Sequence, residues 1–147
     1  MPRIAVRGVF YRDNDILLSH HRHDDREWYL IPGGGILHGE SVEQAFHREM
    51  LEETGYQCAF GQVVMIREVM NPDNTIPILP DQFHQIEIYV TGDITAKISE
   101  PLAMDQQQIS YCWMPVTELE HLKFFPGDLA ACFINRDWSV IYRGVCL

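Results

Sequence analysis

Apolar and polar positions along the chain sort into short strand-like runs and one long helical stretch. Residues 4–11 are apolar with Arg7 inside them and predict a strand. Asp13-Asn14-Asp15 is a turn, and Ile16-Leu17-Leu18 opens a second strand, so a hairpin is expected. Residues 20–27 are rich in His, Arg and Asp and predict a loop. Residues 28–31 form a short apolar strand that stops at Pro32-Gly33-Gly34-Gly35. Then the period changes. Ser41-Val42-Glu43-Gln44 is a capping-box pattern, and no Gly or Pro follows until Gly55, a suitable residue just past a helix end. The expectation is a helix over Val42–Thr54. Further on, residues 63–70, 83–90, 109–114 and 139–143 read as strands, with Ile86, Ile88 and Val90 on one side of theirs. Residues 71–82 hold Pro72, Pro77 and Pro80 and predict an irregular loop. Short helical pieces are expected at 117–122 and from Pro126 toward Asn135. Strands mixed with a few helices imply a layered α/β fold.

The 147 residues match one domain, 1–147, with no repeat, linker or low-complexity tract. Hydrophobic residues at 46% and charged residues at 22% exclude a disordered or collagen-like chain. The longest apolar run, residues 129–134, is far short of a membrane span, and no signal peptide is expected. Eleven basic against 21 acidic residues give a net charge of -10, which disfavours bulk nucleic acid or an anionic membrane as partner. A small phosphorylated molecule stays possible if a cation bridges it to the acidic surface. Cys58, Cys112, Cys132 and Cys146 form no C-x-x-C pair, so reduced thiols in a cytoplasmic setting are the simplest expectation.

The helix carries an anomaly. At about 100° per residue, Val42, Ala45, Phe46 and Met50 share the core side, and Glu49, Glu52 and Glu53 fall on or beside it within an arc of about 100°. Each like-charge pair at these spacings costs about 0.2–0.5 kcal/mol when exposed, and burial raises the cost. The negative end of the helix dipole makes acids there still less comfortable. A hard divalent cation answers all three objections. The plainer reading is a solvated acidic face with Arg48 bridging to Glu52. Two neighbours weigh against it: the Gly33-Gly34-Gly35 turn, which lets backbone approach a ligand, and Glu40 at the helix entrance.

Together these residues resemble a known family. Gly34, five residues, Glu40, seven residues, then Arg48-Glu49-Met50-Leu51-Glu52-Glu53-Thr54-Gly55-Tyr56 is similar to the complete Nudix box, with seven fixed identities over 23 residues. Trp28-Tyr29-Leu30-Ile31-Pro32-Gly33-Gly34 before it and Trp113-Met114-Pro115 after it point the same way. The resemblance implies a three-layer α/β/α Nudix sandwich with a central mixed sheet. It implies Glu49, Glu52, Glu53 and the Gly33 carbonyl as ligands of Mg2+ or Mn2+, and Arg48 with Glu40 as the pair that orients the acids. It also implies hydrolysis of a diphosphate joining a nucleoside to another group, with positioning and charge stabilisation carrying the catalysis. The base is open: Glu49 in the box, or an acid outside it, Asp105 or Glu87.

Other features carry less. His20, His21 and His23 invite a zinc reading, but no matching ligand set accompanies them. Arg22 and Arg26 are candidates for a substrate phosphate. Trp28 is a candidate base-stacking residue, with a core role as the plainer reading. Pro72 lies 16 residues past Tyr56, a spacing that resembles one linked to ADP-ribose hydrolysis in the family. The expected substrate is therefore an ADP-ribose or nucleotide-sugar type, against a nucleoside triphosphate. Two further readings stand beside the enzyme: a non-catalytic nucleotide-binding module, and a plain structural domain, on which divalent ions would have no thermal effect. A homodimer is a further expectation from the family.

Overall fold

The computed structural model describes residues 1–147. In chain order the strands are β1 (Arg3–Val9), β2 (Tyr11–Arg12), β3 (Asp15–His23), β4 (Arg26–Leu30) and β5 (Gly33–Gly35), followed by helix α1 (Val42–Thr54). Then come β6 (Tyr56–Asn71), β7 (Phe83–Lys97), β8 (Gln108–Pro115), β9 (Phe124–Phe125), helix α2 (Ala130–Asn135) and β10 (Tyr142–Val145). One sheet is mixed, in the order β10-β6-β7-β1-β5, with β1 parallel to β7 and antiparallel to β5. A second sheet runs β2-β3-β4-β9, with β8 on the other side of β3.

Alternation on these strands builds two cores. Val6, Phe10, Leu17 and Val90 pack with Ala45, Phe46 and Met50 of α1. Val9, Ile16, Leu18 and Tyr89 pack with Leu129, Ala130 and Phe133 around α2. Leu17 lies between Ile16 and Leu18 yet faces the opposite core, so the sheet layer is covered on both sides. The architecture is the expected α/β sandwich, a central mixed sheet flanked by helices, with a second sheet beside the mixed one.

Helix α1 matches its sequence signals. The Ser41 hydroxyl accepts the Gln44 N–H, and the Gln44 side chain accepts the Ser41 N–H. Gly55 closes the helix in the left-handed region at φ 75°. Elsewhere the sequence reading needs correction. The turn at 13–14 joins only β2 to β3, because β1 crosses to the other sheet and pairs on both edges. Residues 20–27 are not a loop but the facing ends of β3 and β4 around a tight turn with Asp24 at φ 53°. Backbone pairing and ring stacking hold this polar stretch in the sheet: His20 stacks on Tyr29 and His21 on Trp28. Strand β6 starts at Tyr56, directly off the helix, and β7 continues to Lys97. Both expected short helical pieces are present, a 3-10 turn over Val116–Glu120 and a second over Gly127–Leu129 that follows Pro126 and runs into α2, while the last strand lies at Tyr142–Val145 rather than at 139–143.

Residues 71–82 form the irregular loop, and Asn71 ties it down. Its amide donates to the carbonyls of Ile76, Leu79 and Pro80 and accepts the Ile76 N–H. All four cysteines are free, and no helix is long and apolar enough to cross a membrane.

Candidate active site

The site grows from the acid face of α1 and the glycine strand beside it. Glu49 and Glu53 are 7% and 1% exposed, while Glu52 is at the rim. Glu53 accepts the Gly33 N–H at 2.8 Å. A Cβ at Gly34 would sit 2.5 Å from a Glu49 oxygen, so only glycine leaves that carboxylate its place. Gly33, at φ 150°, is equally bound to glycine, because a Cβ would meet the Val6 carbonyl at 2.0 Å.

Arg48 organises the rim. It grips both oxygens of Glu40 at 2.7 and 2.9 Å, and donates to Glu49 at 2.8 Å, to Glu52 at 3.2 Å and to the Gly35 carbonyl at 2.9 Å. Hydrogen bonds from Arg48 and from the Leu37 N–H hold the Glu40 carboxyl down at about 2. Burial instead pushes Glu53 well up, and the charge of Arg7 opposes this without overcoming it. Burial also raises Glu49 against the pull of Arg48, and the charges of Glu52 and Asp105 add to the rise. Two buried carboxylates thus share too little positive charge.

Beside the acids lies a cleft of about 310 Å³ between the two sheets. Trp28, Leu30, Phe83, Phe125 and Leu79 give it apolar walls, and Arg3, Arg7, Arg67, Gln85, Glu87 and Asp105 give it polar ones. At its floor, Glu87 accepts from Arg7 Nε at 2.6 Å, from Arg67 Nε at 2.8 Å and from Tyr89 Oη at 3.2 Å. Burial alone would raise Glu87, but the two guanidiniums overrule it and hold the carboxyl at about 2. Arg7 also donates to the Gly33 carbonyl at 3.1 Å, which links this floor to the glycine strand.

The other sequence candidates divide. Asp105 lines the cleft near Glu49 and Glu53, because the Ala103 N–H and the Gln108 side chain tie its segment to the last carbonyls of α1. Trp28 is 6% exposed and lines the cleft against His21. Arg26 reaches a smaller extension of the cleft with His23 under the 77–80 loop. Arg22 does not join them: it is exposed and paired with Glu27. The zinc reading of the histidines fails, because strand alternation sends His20 to Tyr29 and His21 to the cleft and no three ligating side chains meet. Burial together with the charge of Arg7 lowers His21 to about 4. Arg7, Arg67 and Gln85 were missed from sequence, although Arg7 interrupts an apolar strand and Gln85 and Glu87 alternate with Ile86 and Ile88.

The donor set has the right chemistry for a hard divalent cation: three carboxylates and a carbonyl, with a glycine cradle that a Cβ would fill. No three His, Cys, Asp or Glu side chains converge into a metal-binding cluster.

Comparison with known proteins agrees with this geometry. A relative in Bacillus subtilis (strain 168), YjhB, provisionally named an ADP-ribose pyrophosphatase, is 26% identical over 127 residues, 86% of this chain and 51% of the relative. The ADP-ribose pyrophosphatase of Methanocaldococcus jannaschii is 42% identical over 55 residues, 37% of this chain and 32% of the relative. The chain therefore spans about half the length of the first relative, and the match covers about a third of the second. A NUDIX hydrolase structure from Nitrosomonas europaea superposes with a TM-score of 0.75 at 18% identity, over 92% of this chain and 90% of that one. The NUDIX domain model matches residues 1–131, which include the glycine strand, α1 and all of the cleft lining except Leu147. With its box residues assembled around one helix end, the chain belongs to the NUDIX domain family.

Proposed function

We propose that residues 1–147 form one catalytic domain, a metal-dependent hydrolase that splits the diphosphate of a nucleoside diphosphate linked to a second group. One observation carries the reading: Glu49 and Glu53 are buried together against the glycine strand with too few cations of the protein's own. Glu49, Glu52, Glu53 and the Gly33 carbonyl are the residues that would hold Mg2+ or Mn2+. When bound, the ion supplies neutralisation of phosphate oxygens and a more acidic attacking water.

The chain's own groups do the rest. Arg48, pinned by Glu40, fixes Glu49 and Glu52 before substrate arrives. The Gly33 carbonyl accepts from Arg7 and keeps a second lone pair. One Glu49 oxygen is taken by Arg48, and the other accepts no protein hydrogen bond, which suits it to take the proton of the attacking water. Asp105 is the second choice of base. Glu87 has both oxygens committed to arginines and is assigned a structural part. Trp28 and Arg26 are assigned to the substrate, and Arg22, facing away, is not.

Within this class the favoured substrate is ADP-ribose or a nucleotide sugar, supported by the names of the Bacillus and Methanocaldococcus relatives. A substrate panel with and without Mg2+ tests it. Two phosphate monoesters from ADP-ribose are expected. Pyrophosphate released from a nucleoside triphosphate, with ADP-ribose untouched, moves the assignment to a triphosphate pyrophosphatase. Binding without turnover under either metal leaves a nucleotide-binding module.

A further inference from the structure

The polar face of β7 holds an amide whose orientation is forced. Phe83, Gln85 and Glu87 alternate along the strand and line the cleft together. Gln85 is 5% exposed, and its Nε2 donates to Glu87 Oε2 at 3.2 Å. Glu87 is gripped by Arg7 and Arg67, so it stays ionised and can only accept. The nitrogen of Gln85 must therefore face Glu87, and its oxygen must face away. That oxygen accepts no hydrogen bond within the protein. Only three sealed side-chain polar atoms lack a partner, His20 Nε2, Gln108 Oε1 and Arg143 Nε, so the Gln85 oxygen is not sealed but opens on the cleft.

Around this acceptor the cleft offers the aromatic surfaces of Trp28, Phe83 and Phe125 and a volume of about 310 Å³, enough for one nucleoside. We infer that Gln85 is a specificity-determining residue, whose carbonyl oxygen accepts a hydrogen bond from the exocyclic amine of an adenine or cytosine base. An oxo group at that corner, as in hypoxanthine or uracil, would set two acceptors against each other. Glu87 prevents the amide from turning to relieve them. The inference rests on the cleft being the nucleotide site of the proposed enzyme.

Equilibrium titration with the α,β-methylene analogues of ADP, IDP, CDP and UDP in Mg2+ tests it, since the methylene bridge resists hydrolysis. The ADP analogue should bind about tenfold more tightly than the IDP analogue, and the CDP analogue about tenfold more tightly than the UDP analogue. Gln85→Met, similar in size without the acceptor, should bring each pair within about twofold. Equal binding of amino and oxo bases by the parent protein overturns the inference, as does a preference that survives in Gln85→Met. Turnover separates this from the parent reading. Hydrolysis that ignores the base overturns the Gln85 assignment and leaves the enzyme standing. Base-ordered binding without hydrolysis supports Gln85 and removes the enzyme.

Discussion

Two buried carboxylate sites, joined through Arg7, solve the same electrostatic problem in opposite ways. At the cleft floor, Glu87 meets Arg7 and Arg67, with Tyr89 and Gln85 completing its hydrogen bonds. At the helix end, Glu53 has the Gly33 N–H and the more distant charge of Arg7, and Glu49 shares Arg48 with Glu40 and Glu52. Burial is nearly equal, since Glu87 is 2% and Glu53 1% exposed. The direction of the pKa shift is opposite, down at the first and up at the second. At the cleft floor the chain itself supplies the partners of its buried acid, and at the helix end it does not, which is the imbalance the proposed cation would correct.

The largest effect expected to sharpen this contrast is on catalysis. Glu53→Gln should cut hydrolysis of the best substrate by about 100-fold or more. In ion-free buffer the same variant should be as stable as the parent or more so, because it removes an under-compensated buried charge. Glu87→Gln should do the reverse to the fold. It strands two buried guanidiniums and should cost about 3–5 kcal/mol in urea unfolding. A Glu87→Gln protein as stable as the parent would break the comparison.

Acid titration of stability comes next. Glu87 is held near 2, below its ordinary 4.5. Its contribution is full above about pH 4.5 and drains away as pH falls toward about 2. Glu49 and Glu53 are raised, so they favour the fold below the ordinary carboxylate range and weigh against it as pH rises through their folded-state values. Urea midpoints of the ion-free protein across this range should show the acid limb shrink in Glu87→Gln and the opposing limb shrink in Glu53→Gln. The smallest effect separates two arginines. Arg26→Ala should raise KM several-fold, while Arg22→Ala, which removes only an exposed pair with Glu27, should change stability and KM little, within about 0.5 kcal/mol.

Which of these residues could be read in advance follows from the range of the forces that place them. Helix α1 was legible because its signals are local: the Ser41–Gln44 box, an interior free of Gly and Pro, and Gly55. The acids came with it, since helical spacing alone puts Glu49 beside Glu53. The strands at 20–27 were not legible, because their polar residues hide a local hairpin in which Arg22 faces Glu27 and His23 faces Arg26, and the outer edge of that hairpin is fixed by a strand more than 80 positions away, as in His21 with Gln108. The cleft floor is more distant still. Arg7, Arg67 and Glu87 come from three strands and meet only through sheet register, Arg67 opposite Glu87 and Arg7 two residues along from the Ala5–Glu87 pair. The apolar side of residues 83–90 was visible in the sequence. Its other side, with Gln85 and Glu87, shows only period two, and period two does not say what lies across from it.

If the helix-end acids hold a divalent ion, titration with Mn2+ should reveal it. Binding to the parent protein followed by isothermal calorimetry, beside Glu53→Gln and Glu87→Gln, gives the answer. The parent should bind saturably, Glu53→Gln should lose that binding, and the melting temperature should rise with the ion only where binding is seen. Glu87→Gln should still bind Mn2+ at temperatures where it is folded. A parent protein that takes up no Mn2+ or Mg2+ at millimolar concentration, or a Glu53→Gln variant that binds as the parent does, would contradict an ion-holding role for these acids.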